Sequence, residues 1–450
     1  MINTFENFQK MYQEKLMTAD EAVKSIKSGD TIAYGEFVTV PYALDAALAR
    51  RVNELYDIDI DASTLRMESK TYEVDPNHEH FRINDRSLTP QSRRTNAFYL
   101  VGSYEENVKS ILEYRNPDAC FFVAAPMDKH GYFNLSTTYS NQLANAANCK
   151  NIIIEVNKNA PRVNCGAMGS IHISQVSAVV EGDNALLEEL PKVPSNEADA
   201  EIAKLLMNEL RDGCCLQLGI GGIPNKIGEA IVDSDVKHLG VHTEMMMDSF
   251  MNLYKAGKVD NSMKNINKGQ MIFTFAMGSK ELYEFLDEND GAMKMPSNYT
   301  NDPYVIGQND NVFAVNNGLK IDLFSQVSSE SVGTRQISGV GGQWDFIYGS
   351  FLSKGGKGFV CMNSTAMVKG PDGQKHRESR IVPTFEPGTI TSVPRYHTFY
   401  LCTEFGCKNM KGLSTWERTK AVIELAHPDY RDELIKAADS FGLWVKSNKR

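Results

Sequence analysis

The sequence predicts an α/β protein made of two similar open domains with mostly parallel sheets. Apolar runs rich in β-branched and aromatic residues alternate with amphipathic stretches along the whole chain. The two halves echo each other in their turn residues, and 450 residues exceed what one ordinary core organises. The strand candidates are 31–34, 119–124, 151–156, 214–218, 272–275, 312–315, 358–362 and 399–403.

The echo starts near the N-terminus, where an amphipathic helix over 19–26 leads to Gly29, a strand, Gly35, and Pro41 opening a helix. Past the middle, a helix over 198–210 leads to Gly213, a strand, Gly219, and Pro224 opening a helix. The offsets are 213 − 29 = 184, 219 − 35 = 184 and 224 − 41 = 183. Such spacing suggests duplication of one unit, with proline at the first helical position in both copies. The boundary falls in 190–196, where Pro191, Pro194 and Ser195 interrupt both periodicities, giving domains 1–190 and 197–450.

A net charge of −10 argues against a nucleic-acid partner, because no face is easily made basic enough to neutralise phosphates. An anionic substrate must then find a local pocket rich in N–H groups. Residues 1–21 lack the continuous apolar core of a signal peptide, and no run approaches the length of a membrane span, so a cytoplasmic location and no membrane partner are expected. The eight cysteines are scattered in apolar, strand-like surroundings such as 119–122, which suits reduced thiols better than a disulfide framework. Cys402 and Cys407 have no second pair with zinc-ligand spacing, and the local His78-Glu79-His80 cluster sits in a loop-like stretch, so no metal is expected.

Residues 217–225 read Gln-Leu-Gly-Ile-Gly-Gly-Ile-Pro-Asn, directly after an apolar strand and before a helix. Gly219, Gly221 and Gly222 allow a tight turn and close approach to a ligand, and the free N–H groups of a helix start favour a negative charge. A plain strand-to-helix turn would account for one glycine but hardly for three. The dinucleotide fingerprint fails because Pro224 stands where its last glycine is needed, which counts against a dehydrogenase. A Walker loop fails at Phe351, six residues before Lys357.

After that helix, 239–244 reads as a short strand ending in Glu244, followed by three methionines. Strand, glycine turn, helix and strand form a βαβ unit, whose right-handed crossover brings the end of the second strand beside the turn. Ligands of open α/β sheets bind at that carboxyl edge, so Glu244 is a candidate site residue, the alternative being a solvated loop acid. A second glycine motif, 338–346, reads Ser-Gly-Val-Gly-Gly-Gln-Trp-Asp-Phe. It reads either as an oxyanion nest or as a hairpin-like loop with Trp344 and Phe346 in the core.

These motifs, with Ala125-Pro-Met-Asp-Lys-His-Gly-Tyr-Phe-Asn134, Gly240-Val-His-Thr-Glu-Met245, Thr300-Asn301-Asp302, Ser379-Arg-Ile-Val-Pro383 and Lys411-Gly-Leu-Ser-Thr-Trp416, run through nearly the whole chain in a consistent order. In them the chain resembles the acetyl-CoA hydrolase/transferase group of class I CoA-transferases, and within it the butyryl-CoA:acetate and 4-hydroxybutyrate enzymes. The resemblance implies two α/β domains with the active site in the cleft between them, the C-terminal one carrying the catalytic Glu, and a homodimer or higher homo-oligomer. It implies that Glu244 is the nucleophile. It assigns Gly341, Gly342 and Asn301 to the thioester oxygen or the CoA thiol end, and Gly219, Gly221 and Gly222 to the turn beside the acid. Trp344 and Glu36 stand where many relatives carry other residues.

The implied function is exchange of CoA between a short-chain acyl-CoA and a carboxylate such as acetate, by ping-pong catalysis through a glutamyl-CoA thioester. CoA and acyl-CoA are then substrates, with no permanently bound cofactor. Transfer between two carboxylic acids is nearly thermoneutral, so the activated acyl energy must be held on the enzyme. A carboxylate suits this because it is ionised at neutral pH and needs no general base. Rival readings are an acyl-CoA hydrolase of the same fold and a non-catalytic acyl-CoA binding protein. Lys354, Lys357 and Arg380 are the candidates for holding the CoA phosphates.

Overall fold

The computed structural model describes residues 5–166, 169–191, 194–370 and 372–444. The chain divides into two compact units. The first comprises 1–190 together with 243–248 and 270–301, and the second 191–242, 249–269 and 302–450. The first break falls where proline interrupts the sequence, although Lys192 and Val193 of that linker lie outside the described residues. The predicted second domain, 197–450, thus cedes two segments to the first unit, and Glu244 goes with them.

In the first unit seven parallel strands lie in the order Phe98–Tyr99, Phe81–Asp85, Ile58–Ala62, Thr31–Tyr34, Ala119–Ala124, Asn151–Val156 and Ala178–Glu181. Ala119–Ala124 is buried at every position, as an apolar run covered on both faces of a parallel sheet must be. The chain winds outward from Thr31–Tyr34 in one direction and restarts at Ala119–Ala124 in the other, so the switch point lies between those two strands. The predicted helix over 19–26 is shorter: Ala19–Ala22 starts from a Thr18–Glu21 capping box and tightens into a 3-10 turn over Val23–Ser25.

The second unit holds a six-stranded sheet in the order Gly240–Val241, Cys215–Leu218, Val312–Asn317, Lys357–Cys361, Tyr400–Thr403 and Gly406–Asn409, of which only the last is antiparallel to its neighbour. Cys215–Leu218 lies between its successor and the strand that opens the other half, as Thr31–Tyr34 does in the first sheet. Gly29 and Gly213, at equivalent places before these strands, both take positive φ (90° and 75°). The helix predicted to open at Pro224 begins two residues earlier, at Gly222.

The segments that join the first unit form two short parallel pairs, Met245–Met246 with Phe275–Ala276 and Met271–Phe273 with Ala292–Lys294. The strand predicted over 272–275 is therefore broken at Thr274, and its two pieces pair with different partners. Tyr139 N–H donates to Thr274 O (3.0 Å) and Ala276 N–H to Thr137 O (2.9 Å), tying the break to loop 134–141. Lys294, fully buried, donates from Nζ to Asn134 Oδ1 (3.2 Å), Ser136 O (2.6 Å) and Thr138 O (3.1 Å). Burial pushes its pKa down to about 8.

Six cysteines are free, but Cys402 and Cys407 face each other across the Tyr400–Thr403 hairpin and are joined as a disulfide. The expectation of reduced thiols fails for this pair because antiparallel register, invisible in a count of spacings, sets them directly opposite. His78 and His80 are each bonded to backbone carbonyls, of Phe81 and Thr95 and of Leu55. Among the described residues no cluster of metal-ligand type occurs, and no helix is long and apolar enough to cross a membrane.

Two buried carboxyls in the first unit, Glu36 and Glu155, are pushed up to about 7 by burial; Glu155 accepts N–H bonds from Ala43 and Leu44 at a helix start. A carboxyl whose folded pKa is raised contributes stability that is complete below its unfolded pKa and lost as pH rises through its folded one, at up to about 1.4 kcal/mol per pH unit for each group. The melting temperature should therefore fall between pH 5 and pH 8, and Glu155→Gln should flatten that fall when melting is followed by calorimetry across the range.

Candidate active site

The glycine turn of the second unit leaves the carboxyl end of Cys215–Leu218, beside the switch to Val312–Asn317. Each glycine answers a different constraint. Gly221 has φ 128°, outside the range of L side chains, and a Cβ there would meet Asn317 Nδ2 at 3.0 Å. A Cβ on Gly222 would lie 2.3 Å from Asp199 Oδ2, and one on Gly219 would lie 3.3 Å from Val315 O. Gly222 opens the helix Gly222–Val232, so the turn presents free N–H groups with the dipole behind them.

The second glycine motif is neither a hairpin nor a plain loop. Gly341 takes φ 55° and Gly342 caps the start of the helix Gln343–Leu352. Phe346 is buried, while Trp344 is half-buried and packs on Tyr348 and His397. Asn317 ties the two glycine loops together: its Nδ2 donates to Ile220 O (2.5 Å), and its carbonyl accepts from Gln343 Nε2 (2.8 Å). Two sets of helix-start N–H groups thus share one edge of the sheet, an arrangement suited to an anionic or polarised oxygen. Asn317 was legible in the sequence only as part of a turn-forming run.

The strand before Glu244 is shorter than predicted. Gly240–Val241 pairs parallel with Cys215–Leu218, and the intervening helix Gly222–Val232 completes the expected βαβ unit. Lys264 crosses this strand, donating from Nζ to Val241 O (2.9 Å), and a Cβ at position 240 would meet Lys264 Cγ at 2.5 Å. After His242, whose N–H donates to Leu216 O (3.1 Å), the chain leaves the sheet.

In the first unit Glu244 is fixed at both ends. Thr243 N–H donates to Ile272 O (2.9 Å), and the Glu244 carbonyl accepts from Thr274 N–H (3.0 Å) and Phe275 N–H (3.3 Å). Its half-buried side chain is oriented by Asn301, whose Nδ2 donates to Glu244 Oε2 at 2.7 Å. Asn301 is fully buried at the end of the helix Ser297–Thr300, held by its N–H to Ser297 O (2.8 Å). Ser297 in turn donates from N–H to Ser140 O (3.1 Å), and its Oγ bonds Asn141 Oδ1 (3.1 Å). The structure thus brings Glu244 and Asn301 together within one unit, and Gly219, Gly221, Gly222, Gly341 and Gly342 together within the other.

Tyr104 and loop 134–141 are the parts that sequence reasoning missed. The Tyr104 hydroxyl donates to Ser140 Oγ (2.8 Å), and its ring meets Phe275 edge-on at 6.0 Å. Burial first, then the charges of Glu36 and Glu244, push its pKa up. No motif marks Tyr104 or residues 135–141, since their roles follow from loop packing across long separations.

The three cations proposed for phosphates separate by position. Lys354 and Lys357 lie at the amino end of the parallel strands, opposite the glycine turns, and Lys357 is paired with Glu209. That location argues against both. Arg380 lies at the carboxyl edge beside Asp199 and Glu404, with its pKa lowered by burial, and remains the candidate of the three.

Family models match both halves of the chain. The acetyl-CoA hydrolase/transferase N-terminal domain matches residues 3–190, and the C-terminal domain of the same name matches 278–438. The chain is 43% identical over 449 residues to the butyryl-CoA:acetate CoA-transferase of Anaerostipes caccae, covering 98% of this chain and 100% of that one. It is 39% identical to a probable butyrate:acetyl-CoA coenzyme A-transferase of Syntrophomonas wolfei, with 99% of each chain covered. Among solved structures, RipA from Yersinia pestis superposes with a TM-score of 0.88 at 33% identity, covering 97% of this chain and 100% of that one.

Removing the amide that orients Glu244 should cost reaction rate rather than fold. Asn301→Ala is expected to lower kcat by about 10²–10³-fold, the loss typical of one such polar donor. Steady-state kinetics beside a melting curve will check this.

Proposed function

The chain belongs to the acetyl-CoA hydrolase/transferase family, and from that premise we propose that it is a CoA-transferase exchanging CoA between a short-chain acyl-CoA, such as butyryl-CoA, and acetate or a similar carboxylate. The observation that carries the reading is the Asn301–Glu244 hydrogen bond. It holds one carboxylate oxygen in place on the segment Gly240-Val-His-Thr-Glu-Met245.

The proposed chemistry runs through Glu244 alone. Its carboxylate oxygen attacks the donor thioester carbonyl, the C–S bond breaks, and CoA leaves as thiolate from a mixed anhydride. The thiolate then attacks the glutamyl carbonyl, the donor acid leaves as carboxylate, and a glutamyl-CoA thioester remains. An acceptor carboxylate repeats these steps in reverse. Each addition places negative charge on a carbonyl oxygen, and amide donors fixed in advance lower the cost of that charge. Asn301 Nδ2 is the side-chain donor at Glu244, and the glycine loops tied by Asn317 are assigned to CoA. Binding of CoA's distant nucleotide supplies energy realised only at the reacting carbonyl. The reading takes CoA and acyl-CoA as substrates and needs no resident cofactor. It also takes the enzyme to be a cytoplasmic homo-oligomer.

The family description also names hydrolases, so the fate of the intermediate is the point to test. Consumption of butyryl-CoA should depend on added acetate and give parallel double-reciprocal plots. A rate independent of acetate would mean that water is the acceptor. Glu244→Gln should abolish exchange to background while keeping the parent's melting temperature.

A further inference from the structure

The motif Lys411-Gly-Leu-Ser-Thr-Trp416 has no part in the chemistry proposed for Glu244, and it lies at the other end of the second unit's sheet from the glycine turns. Arg395 and Tyr396 precede Tyr400–Thr403, which runs parallel to Lys357–Cys361, and Lys411 follows the antiparallel Gly406–Asn409. All three therefore sit at the amino end of the parallel strands, whereas the glycine turns leave the carboxyl end. A cavity of about 270 Å³ opens at this amino end, wholly within the second unit. Its walls are mostly apolar, from Leu323, Phe324, Leu413 and Leu443, and its charged lining groups are Arg395 and Arg418, with no acid among them.

Arg418 is presented by the first turn of the helix Thr415–Leu425. Its Nη1 donates to Ser325 Oγ (2.9 Å) and Arg395 O (2.6 Å), while its Nε and Nη2 meet no acceptor among the described residues. Lys411 adds a third charge beside them, donating from Nζ to Tyr396 O (2.8 Å). None of the three cations makes an ion pair among the described residues. The acids at hand are engaged elsewhere: Glu417 accepts from Ser414 N–H (2.8 Å) and Oγ (2.7 Å) in a capping box, and Asp322 accepts from Phe324 N–H (3.0 Å) and from Gln326 N–H (2.9 Å) and Nε2 (2.7 Å). Burial first, then the charge of Arg395, lowers the Arg418 pKa, and burial first, then the charge of Arg418, lowers that of Lys411. In a chain of net charge −10 these three cations are left to repel one another, and an anion between them relieves that repulsion.

We propose that this cavity is a second binding site, for a monocarboxylic acid with an aliphatic body: the Arg418 and Arg395 guanidiniums take the carboxylate, and Leu323, Phe324, Leu413 and Leu443 take the body. A guanidinium presents a planar fork of N–H donors that matches the two oxygens of a carboxylate. The apolar walls favour a ligand with a hydrocarbon part over a bare inorganic anion, whose desolvation they do not repay. No residue assigned to CoA exchange takes part, so the site does not rest on that activity.

The test titrates the full-length protein with hexanoate by calorimetry and thermal shift, beside inorganic phosphate and 1-hexanol as probes of charge alone and of the apolar body alone. Hexanoate should raise the parent's melting temperature, as a ligand of the folded state does. Arg418→Gln and Arg395→Gln should each weaken its binding about tenfold, the loss expected for one charged hydrogen-bond partner. Arg395 is exposed, so Arg395→Gln keeps the fold whatever becomes of Arg418→Gln. Any hexanoate bound elsewhere on the protein is common to parent and variants, so the difference between them reports this cavity. The proposal is overturned if folded Arg395→Gln and Arg418→Gln bind hexanoate within about twofold of the parent. Displacement of hexanoate by an equal concentration of phosphate, or of 1-hexanol, overturns it too, the first by removing the need for the body and the second by removing the need for the charge. CoA exchange between butyryl-CoA and acetate should be the same in Arg395→Gln as in the parent. Its loss in that variant would put these cations in the reaction and overturn a second site, whereas a parent without exchange would refute only the transferase activity.

Discussion

One carboxylate held in one orientation is the constraint on which the rest of the account depends. In the proposed mechanism the Glu244 carboxyl cannot sit on a mobile side chain, because the oxygen that attacks the thioester and the carboxyl carbon that the thiolate attacks next must both stand at the reacting centre. Here the backbone of Glu244 is pinned on both sides by hydrogen bonds to the broken strand around Thr274, and its Oε2 is held by Asn301. The support reaches further back. Asn301 rests on Ser297, Ser297 on the loop at Ser140 and Asn141, and that loop on the buried ammonium of Lys294. Burying a lysine without a carboxylate partner is costly, and three acceptors offset that cost at the loop that props the site.

The second unit meets a different demand with similar economy. A parallel sheet offers its carboxyl edge at the switch point, and there Asn317 joins the two glycine loops with its side chain and its carbonyl. The glycines are dictated by close approaches to Asn317, Asp199 and Val315 rather than by turn geometry alone. Asp199 also serves the Asn196 capping box, so the helix start and the glycine turn are built on one carboxylate.

Much of this was legible in the sequence. The strands around 119–124 and 312–315 announce themselves as continuous apolar runs, and the glycines at 219, 221 and 222 mark a turn with more freedom than a turn needs. Glu244 could be singled out because an acid follows a short strand and precedes three methionines. What the sequence hid is long-range. Nothing local signals that 243–248 and 270–301 pack with the first unit, because that choice is made by the bridge from Thr138 to Phe275 and by Lys294, partners more than 130 positions away. Lys354 and Lys357 looked suitable as cations near glycines, but charge says nothing about which end of a strand a residue occupies. The Cys402–Cys407 pairing and the burial of Glu36 were hidden for the same reason, since register and burial are properties of the assembled chain.

The central claim is that Glu244 itself carries CoA during turnover. Its most direct test is mass spectrometry of peptides from enzyme incubated with acyl-CoA in the absence of acceptor acid, quenched before hydrolysis. The account predicts a CoA adduct on the peptide containing Glu244, lost when acetate is added. An unmodified Glu244 peptide in an enzyme that still exchanges CoA at full rate would contradict it.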